Sequence, residues 1–163
     1  PEMSRGLGDV YKRQTIRLLN NHLQTTSVSQ NRKKWERELA ADNTRREAQA
    51  VQDAAETLHE NFVKRAFQTD SICQLATASP HPVLVCGDFN SLPSSYTYHR
   101  FSESLKDGFK TGGHGYMYTY RYGKRMLRID YAFHSPELEC TDYYSPNLDL
   151  CSDHNPVIFT VKY

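Results

Sequence analysis

The pattern of hydrophobic and polar positions predicts one long helix in the first half of the chain. Residues 44–47 form a capping box, with Thr at the cap and Glu three positions later. Apolar side chains then recur at alternating spacings of three and four residues, which is typical of one face of a helix. These residues are Ala48, Val51, Ala55, Leu58 and Phe62, with Ile72 and Leu75 continuing the stripe. We expect this helix to pack against a sheet through the stripe and to end before Pro80.

The same pattern predicts strands on both sides of the helix. Apolar, β-branched and aromatic residues are concentrated in short runs, several of which alternate with polar residues. The candidate strands are residues 15–24, 83–88, 116–122, 126–133, 139–144 and 156–162, of which the third and fourth are predicted to form a hairpin that turns at Gly123 and Lys124. A short helix is predicted within residues 94–104. One long helix with several strands is typical of a layered α/β or α+β domain.

Length and the first residues define the domain organisation that we expect. The chain has 163 residues, which is enough for one domain with a hydrophobic core. Residues 9–14, read back into codons, resemble the end of a transposon used to prepare sequencing libraries. We therefore interpret residues 1–14 as a non-native segment from assembly or cloning, and residues 15–163 as part of one domain whose N-terminal part is missing. The location in the cell, whether cytoplasmic, membrane-anchored or secreted, stays open.

Composition argues against two kinds of binding site. The chain has 20 Lys and Arg against 19 Asp and Glu, and leaving out residues 1–14 removes three basic and two acidic residues, which leaves 17 of each. A protein that binds nucleic acid mainly through a basic surface is more positive than this. The four cysteines include no C-x-x-C pair, so a structural zinc site is not predicted. Whether Cys140 and Cys151 form a disulfide is left open.

The first motif with candidate chemistry follows the apolar run Val83-Leu84-Val85-Cys86. It reads Gly87-Asp88-Phe89-Asn90-Ser91. Because strand side chains alternate with period two, Asp88 and Asn90 are expected to point the same way. A carboxylate and a carboxamide together suit a hard divalent cation and a phosphate oxygen. The alternative is a plain strand-to-loop turn, in which Asp and Asn are common.

Two later motifs add carboxylates and a histidine. Asp130 lies on the polar face of a predicted strand, where it either orients a catalytic histidine or forms a surface pair with Arg128. Asp153 and His154 lie just before the last predicted strand, where an isolated Asp-His pair is usually a capped turn. Three such motifs in this order, each at a strand end or on a polar strand face, favour a single assembled site.

His22 completes the set of candidates. A histidine among apolar strand residues is more often a satisfied core group than a catalytic one. Its neighbours Asn20 and Gln24, however, share its side of an extended strand, which makes that side polar. Both interpretations of His22 are kept.

These motifs resemble those of the endonuclease/exonuclease/phosphatase superfamily, whose members include DNase I-like nucleases, neutral sphingomyelinases and inositol polyphosphate 5-phosphatases. In chain order the motifs are Asn20-Asn21-His22-Leu23, Gly87-Asp88-Phe89-Asn90, Arg128-Ile129-Asp130-Tyr131 and Ser152-Asp153-His154-Asn155-Pro156. Their wording is most similar to bacterial members of Bacteroidetes type. The resemblance covers residues 15–163 and implies a partial four-layer α/β/β/α sandwich of the DNase I-like type, mostly its C-terminal sheet and helices.

The resemblance also implies an activity and a role for each candidate residue. The activity is divalent-metal-dependent phosphodiester hydrolysis, nuclease-like in the intact protein, with Mg²⁺ or Mn²⁺ as cofactor. Asp88 would position or activate the attacking water, and His154, oriented by Asp130, would act as general base or polarise the phosphate. Asn90 would hold the scissile phosphate, and His22 would bind phosphate or stabilise the leaving oxygen. Asp153 and Asp88 would contribute to the metal site. Which group accepts the proton stays open.

One part of the superfamily pattern is not found. Its principal metal-binding Glu precedes the histidine strand, whereas Glu38, Glu47 and Glu56 all follow His22. We therefore expect the chain alone to bind metal weakly and to hydrolyse little. The expected partner is a phosphodiester substrate, of nucleic acid or of a phospholipid or inositol phosphate. No protein partner is evident, and a monomer is expected. The alternatives are a phospholipid or inositol phosphate phosphoesterase, which the neutral charge allows, and a non-catalytic binding module on the same fold.

Overall fold

The computed structural model describes residues 8–11, 14–27, 44–122, 124–148 and 151–163. In chain order the elements are β1 (Gly8–Tyr11), β2 (Gln14–His22), α1 (Thr44–Thr77), β3 (Val83–Asp88), α2 (Tyr96–Ser102), β4 (Lys106–Asp107), α3 (Gly108–Gly112), β5 (Asp130–His134), β6 (Glu139–Tyr144) and β7 (Ile158–Lys162). The long helix, the short helix and four of the six predicted strands lie close to where the hydrophobic pattern predicts them.

A five-stranded sheet with the strand order β1-β2-β3-β5-β4 forms the centre of the fold. β2 and β3 pair in parallel, with His22 opposite Asp88, and α1 lies in the connection between them. Parallel neighbours require a crossover of this kind. β3 and β5 pair antiparallel, with Asp88 opposite Asp130. The topology therefore brings three of the predicted site residues to one end of the sheet.

The two longer helices pack on this sheet and enclose the larger hydrophobic core. The core consists of Leu19, Leu23, Cys73, Ala76, Val83, Val85, Phe89, Tyr98, Phe101, Leu105, Tyr131 and Phe133. Ile72 and Leu75, the last members of the predicted stripe, pack against it. Each fully buried large side chain of this kind contributes about 1.5–3 kcal/mol relative to its exposed state. The core therefore anchors the strands that end in the site residues.

The part of α1 before Thr69 does not pack as its apolar stripe predicts. Val51 and Phe62 are 58% and 52% exposed, while Asn61 and Arg65 are buried on the other side of the helix. Arg65 donates to the carbonyl oxygen of Gln24 (2.6 Å), and the Asn61 side chain accepts a hydrogen bond from the Gln24 side chain (3.0 Å). The prediction that the whole stripe faces the sheet is wrong for this part of α1. Hydrogen bonds of Asn61 and Arg65 with the segment after β2 set the orientation of the helix there.

β6 and β7 form a second, antiparallel sheet of two strands. Cys140 and Tyr143 of β6 pack with Ala132 of β5, and Phe159 and Val161 of β7 are partly buried in the same cluster. The fold thus has a layer of helices, the five-stranded sheet and the two-stranded sheet. This arrangement agrees with the layered α/β class predicted from the order of helices and strands.

Two segments differ from their predictions. Residues 116–122 do not form a strand, because the chain makes only single bridges there, from Tyr120 to Leu127 and to His154. The predicted second strand of that hairpin starts later, at Asp130. β1, which lies within the segment interpreted as non-native, pairs antiparallel with β2. The origin of residues 1–14 remains a prediction, and residues 1–7 and 12–13 lie outside the described part of the chain.

Two further observations concern the thiols and the membrane. The thiols of Cys140, which is buried, and Cys151, which is exposed, are both free. Within the described ranges, no helix combines the length and the apolar character that are needed to cross a bilayer.

Candidate active site

The site starts at the carboxyl end of β3, where Gly87 lets two strands approach closely. Gly87 has a φ of +130°, and a Cβ atom at this position would lie 1.9 Å from the carbonyl oxygen of Asn21 in β2. Glycine alone avoids this clash. The approach places Asp88 beside His22, with 3.7 Å between Oδ2 of the carboxylate and Nε2 of the ring. The His22 side chain is 76% exposed, so its interpretation as a satisfied core histidine is wrong.

The Asp88 carboxylate also fixes the loop that follows it. Its Oδ1 accepts a hydrogen bond from the backbone N–H of Asn90 at 2.7 Å, and Asn90 has a φ of +47°. The Asn90 side chain donates from Nδ2 to the carbonyl oxygen of Leu23 at 3.0 Å, which ties this loop to the end of β2. Asn90 therefore lies beyond the end of β3, so the period-two alternation assumed for Asp88 and Asn90 does not extend to it, and its carboxamide bonds to the backbone of Leu23 through one nitrogen.

Strand β5 and the loop before β7 supply a hydrogen-bonded pair. Asp130 Oδ2 and His154 Nδ1 are 2.8 Å apart, so the ring donates from Nδ1 to the carboxylate. His154 Nε2 then lies 3.9 Å from Asp88 Oδ2. The three side chains form a row at one end of the sheet, with the imidazole between two carboxylates.

Arg128 takes no part in this row, because its side chain is buried and paired with a different carboxylate. Its guanidinium forms two hydrogen bonds with the carboxylate of Asp107, at 3.2 and 2.8 Å. The hydroxyl of Tyr98 donates to the same carboxylate at 2.8 Å. The alternative in which Asp130 forms a surface pair with Arg128 is therefore wrong: the partner of Arg128 is Asp107, and the two side chains are 8% and 0% exposed.

The pKa values of Asp88 and His154 are both displaced upward. Burial raises the pKa of the Asp88 carboxyl; the Asn90 N–H opposes this shift, and the negative charge of Asp130 adds to it. The hydrogen bond with Asp130 raises the pKa of His154 against the effect of burial, and Asp88 and Asp153 contribute through their charges. Two carboxylates on neighbouring strands repel each other, so a positive charge placed between them is stabilising. The site therefore favours a positive charge between the carboxylates of Asp88 and Asp130.

Asp88, Asp130 and His154 have the donor atoms that a divalent cation requires. One ligand atom from each lies within 4.8 Å of the others. Carboxylate oxygens suit Mg²⁺ and Mn²⁺, and imidazole suits several transition metals. Asp153, predicted as a metal ligand, is exposed and does not belong to this group in the described part of the chain. Its backbone carbonyl instead accepts the N–H of Arg121 at 2.8 Å.

A cleft beside Asp130 and His154 is lined in part by residues to which the sequence motifs assign no role. Its walls include Cys86 of β3, Phe159 of β7 and the buried Asn155, which belongs to the Ser152–Pro156 motif. Tyr120 lies nearby and packs edge-on against His154, with ring centroids 5.1 Å apart. Nothing in the order or spacing of a single sequence indicates that Cys86, Phe159 and Tyr120 meet at this cleft, because their proximity arises only from tertiary contacts.

Layered sheets with this row of acidic residues and histidine at one end define a DNase I-like domain. The model of the Endonuclease/Exonuclease/phosphatase family matches residues 23–154, and the chain belongs to this family. The match spans the described site from Asp88 to His154, so the family predicted from the motifs is confirmed. No curated protein matches the chain.

Solved structures agree on the fold. A functionally unknown conserved protein from Enterococcus faecalis V583 superimposes with a TM-score of 0.63 at 15% identity, over 91% of this chain and 50% of that one. An endonuclease/exonuclease/phosphatase from Bacteroides vulgatus gives 0.51 at 26% identity, over 63% and 44%. A mannosyl-6-phosphatase from Bacteroides thetaiotaomicron gives 0.53 at 18% identity, over 93% and 53%. The chain therefore spans about half the length of the structures it matches.

Proposed function

We propose that the intact protein is a divalent-metal-dependent phosphodiester hydrolase with nuclease-like substrates. The observation that carries this proposal is the row from Asp130 through His154 to Asp88, with separations of 2.8 and 3.9 Å. A half-buried acid that holds a histidine, and a second acid beyond it, is an arrangement for moving a proton and placing a water molecule. The activity is proposed for the whole protein, because this chain covers about half of its solved relatives.

In this proposal Asp130 orients His154 and determines its tautomer. Because Nδ1 donates to Asp130, Nε2 is the ring atom directed at the substrate, where it either holds a proton toward a phosphate oxygen or accepts one from water. The raised pKa of His154 favours the protonated form, which polarises a phosphate. General acid–base assistance of this kind contributes about 10²–10⁴-fold to a rate.

Three further side chains complete the proposed chemistry. Asp88 positions the attacking water, since its carboxylate lies between the rings of His22 and His154. Asn90 holds the scissile phosphate beside it. His22, being exposed at the rim, binds a phosphate oxygen or stabilises the leaving oxygen. The Asn90 carboxamide and the His22 ring are the donors that offset the negative charge growing on the phosphate oxygens.

A divalent cation fits the same place. Asp88 and Asp130 would hold it, with Asp153 as a more distant contributor of charge. When bound, Mg²⁺ or Mn²⁺ would act as a Lewis acid toward the phosphate.

An exposed aromatic side chain next to the row supports a nucleic acid substrate. Tyr122 is 66% exposed, and its ring lies 5.9 Å from that of Tyr120, which itself packs against His154. Stacking of a base on an exposed aromatic ring contributes about 1–3 kcal/mol. The neutral charge of residues 15–163 supports a second candidate, a phospholipid or inositol phosphate substrate.

The test uses the longest native protein that contains residues 15–163. Single-stranded DNA, RNA, sphingomyelin vesicles and an inositol polyphosphate are supplied in turn, with Mg²⁺, with Mn²⁺ or with a chelator. We expect metal-dependent cleavage of the nucleic acids, lost by 10²-fold or more in Asp88→Ala and in His154→Ala. His59→Ala, which changes an exposed histidine of α1 outside the site, is the control and should retain activity.

The outcomes separate the candidates. Tyr122→Ala should weaken cleavage of nucleic acid and leave any lipid or inositol phosphate hydrolysis unchanged. Hydrolysis of vesicles or inositol phosphate alone would replace the nuclease proposal by the second candidate. Full activity in both Asp88→Ala and His154→Ala would refute the assigned roles, and no hydrolysis of any of these substrates would favour a binding module.

A further inference from the structure

Thr119 hydrogen-bonds the backbone at the start of the strand that carries Asp130 and the backbone of Asn155, the residue after His154. Its side chain is fully buried, and its hydroxyl oxygen accepts hydrogen bonds from the N–H groups of Ile129 and Asp130, each at 3.0 Å. These two amides immediately precede and begin β5. The hydroxyl therefore fixes the position of the Asp130 backbone at the start of β5.

The backbone of Thr119 positions the loop that carries His154. Its carbonyl oxygen accepts the N–H of Asn155 at 2.7 Å, one residue after His154. The next residue, Tyr120, forms a bridge with His154 and packs against its ring. The N–H groups of Thr119 and Tyr120 both donate to the carbonyl oxygen of Leu127, at 2.9 and 3.1 Å. These bonds hold Thr119 beside the segment that leads into β5. One residue thus ties the strand that carries the acid to the loop that carries the base.

We propose that Thr119 is a positioning residue that sets the 2.8 Å contact between Asp130 and His154. Those partners lie 24 positions apart in the sequence and on different elements, so no local geometry fixes their distance. A displacement of Asp130 by a fraction of an ångström lengthens the hydrogen bond and weakens it steeply. The catalytic meaning of this role rests on the proposed function, whereas the geometric role does not.

The side chain of threonine suits this place for two separate reasons. A hydroxyl oxygen has two lone pairs, so it can accept from both amides. Valine has the same shape without the oxygen and would leave the N–H groups of Ile129 and Asp130 buried without an acceptor. Serine keeps the oxygen and loses only the methyl group. The pair Thr119→Val and Thr119→Ser therefore separates the hydroxyl from the packing.

Thr69 supplies the matched control. It is also fully buried, and its hydroxyl bonds to the carbonyl oxygen of Arg65 at 2.8 Å and to the hydroxyl of Thr97 at 3.2 Å. It lies in α1, on the helical side of the sheet. Thr69→Val removes a buried hydroxyl of the same kind without touching β5 or the loop at residues 152–155.

The experiment is ¹⁵N-edited NMR of the imidazole groups in the 163-residue chain, which requires no catalytic activity. In the wild type, the His154 Nδ1–H proton should give a slowly exchanging downfield signal, because it is donated to a carboxylate. We expect this signal to be kept in Thr119→Ser and Thr69→Val, and to shift upfield and broaden in Thr119→Val. In the longest native protein, Thr119→Val should lower kcat by 10-fold or more with KM nearly unchanged, and Thr119→Ser should restore most of it.

A second measurement covers the case in which Thr119→Val fails to fold. In the wild type, hydrogen exchange at the Ile129 and Asp130 amides should be slow, like that of the β5 amides, and it should stay slow in Thr119→Ser. Fast exchange at both amides in the wild type would overturn the proposal. So would an unchanged His154 signal in a folded Thr119→Val variant, or its equal loss in Thr69→Val. A wild type without hydrolytic activity would count against the proposed function and leave the NMR result to decide the role of Thr119.

Discussion

The buried pair of Arg128 and Asp107 allows the sharpest prediction about stability. The Asp107 carboxylate accepts two hydrogen bonds from Arg128, one from the Tyr98 hydroxyl and one from the Phe109 N–H at 3.0 Å. Asp107→Asn keeps the shape of this side chain and removes its charge. The guanidinium, which is 8% exposed, is then buried without a counter-ion. Removing one partner of a buried ion pair costs about 3–5 kcal/mol.

That cost is a large part of the stability of a domain, which is typically about 5–15 kcal/mol. With about 2–4 °C per kcal/mol for a domain of this size, the midpoint of thermal unfolding should fall by roughly 6–20 °C. Urea and thermal unfolding followed by circular dichroism would measure both quantities. Glu60→Gln is the control, because it breaks an exposed pair with Lys64 in α1 (3.6 Å) and should cost less than about 0.5 kcal/mol.

A double variant tests the reasoning behind the magnitude. Asp107→Asn combined with Arg128→Met removes both charges, so no unpaired charge remains buried. We expect the double variant to be more stable than Asp107→Asn alone. A loss below about 1 kcal/mol in Asp107→Asn, comparable with the effect of Glu60→Gln, would refute the argument that this pair is buried and tightly coupled.

Three other predictions concern the site. The hydrogen bond to Asp130 raises the pKa of His154, so the stabilisation from this pair is present below the ordinary histidine value of 6.5 and is lost as pH rises through the folded-state pKa. Asp130→Asn should lower the pKa of His154 in an NMR titration. An unchanged pKa would contradict the assignment. Gly87→Ala should abolish or severely weaken folding, because its Cβ would lie 1.9 Å from the carbonyl oxygen of Asn21. Gly115→Ala, also at positive φ (+69°) but in open space, should lower the free energy of unfolding in urea by about 1 kcal/mol. Equal losses in the two variants would argue against the close approach of β2 and β3. Mn²⁺ should broaden the NMR signals of Asp130 and His154 before others, and Asp88→Asn should require a higher Mn²⁺ concentration for the same effect; uniform broadening would indicate non-specific binding.

The parts of the fold that the sequence predicts correctly are those with a strong local pattern. The run before Asp88 is apolar and is followed by a loop with Asn, Ser and Pro, so the strand and its end follow from local rules. His154 is placed just before the last strand for the same reason, whereas Asp130 is predicted inside a strand and instead begins β5. Their common location could be expected only from their order and the family resemblance, because the pairing of β3 with β5 is a long-range property.

The incorrect predictions have a shared physical cause, which is that tertiary contacts outweigh local patterns. The stripe through Val51 and Phe62 is a good helical signal, yet Arg65 and Asn61 face inward because their hydrogen bonds with Gln24 are made there. The tyrosine-rich segment at residues 116–122 has strand composition, but it must contact both β5 and the loop at residues 152–155. Single bridges therefore replace a ladder.

The parallel pairing of β2 with β3 also has a consequence for the order of folding. His22 and Asp88 come together only after the connection that contains α1 has closed, and Asp88 meets Asp130 and His154 only once β5 has joined β3. Contacts between distant parts of the sequence form slowly, whereas a helix of 34 residues forms rapidly. On refolding from denaturant, the helical signal should therefore recover early and the candidate site should assemble last, so a chain that looks largely folded by circular dichroism would still lack the contacts among Asp88, Asp130 and His154.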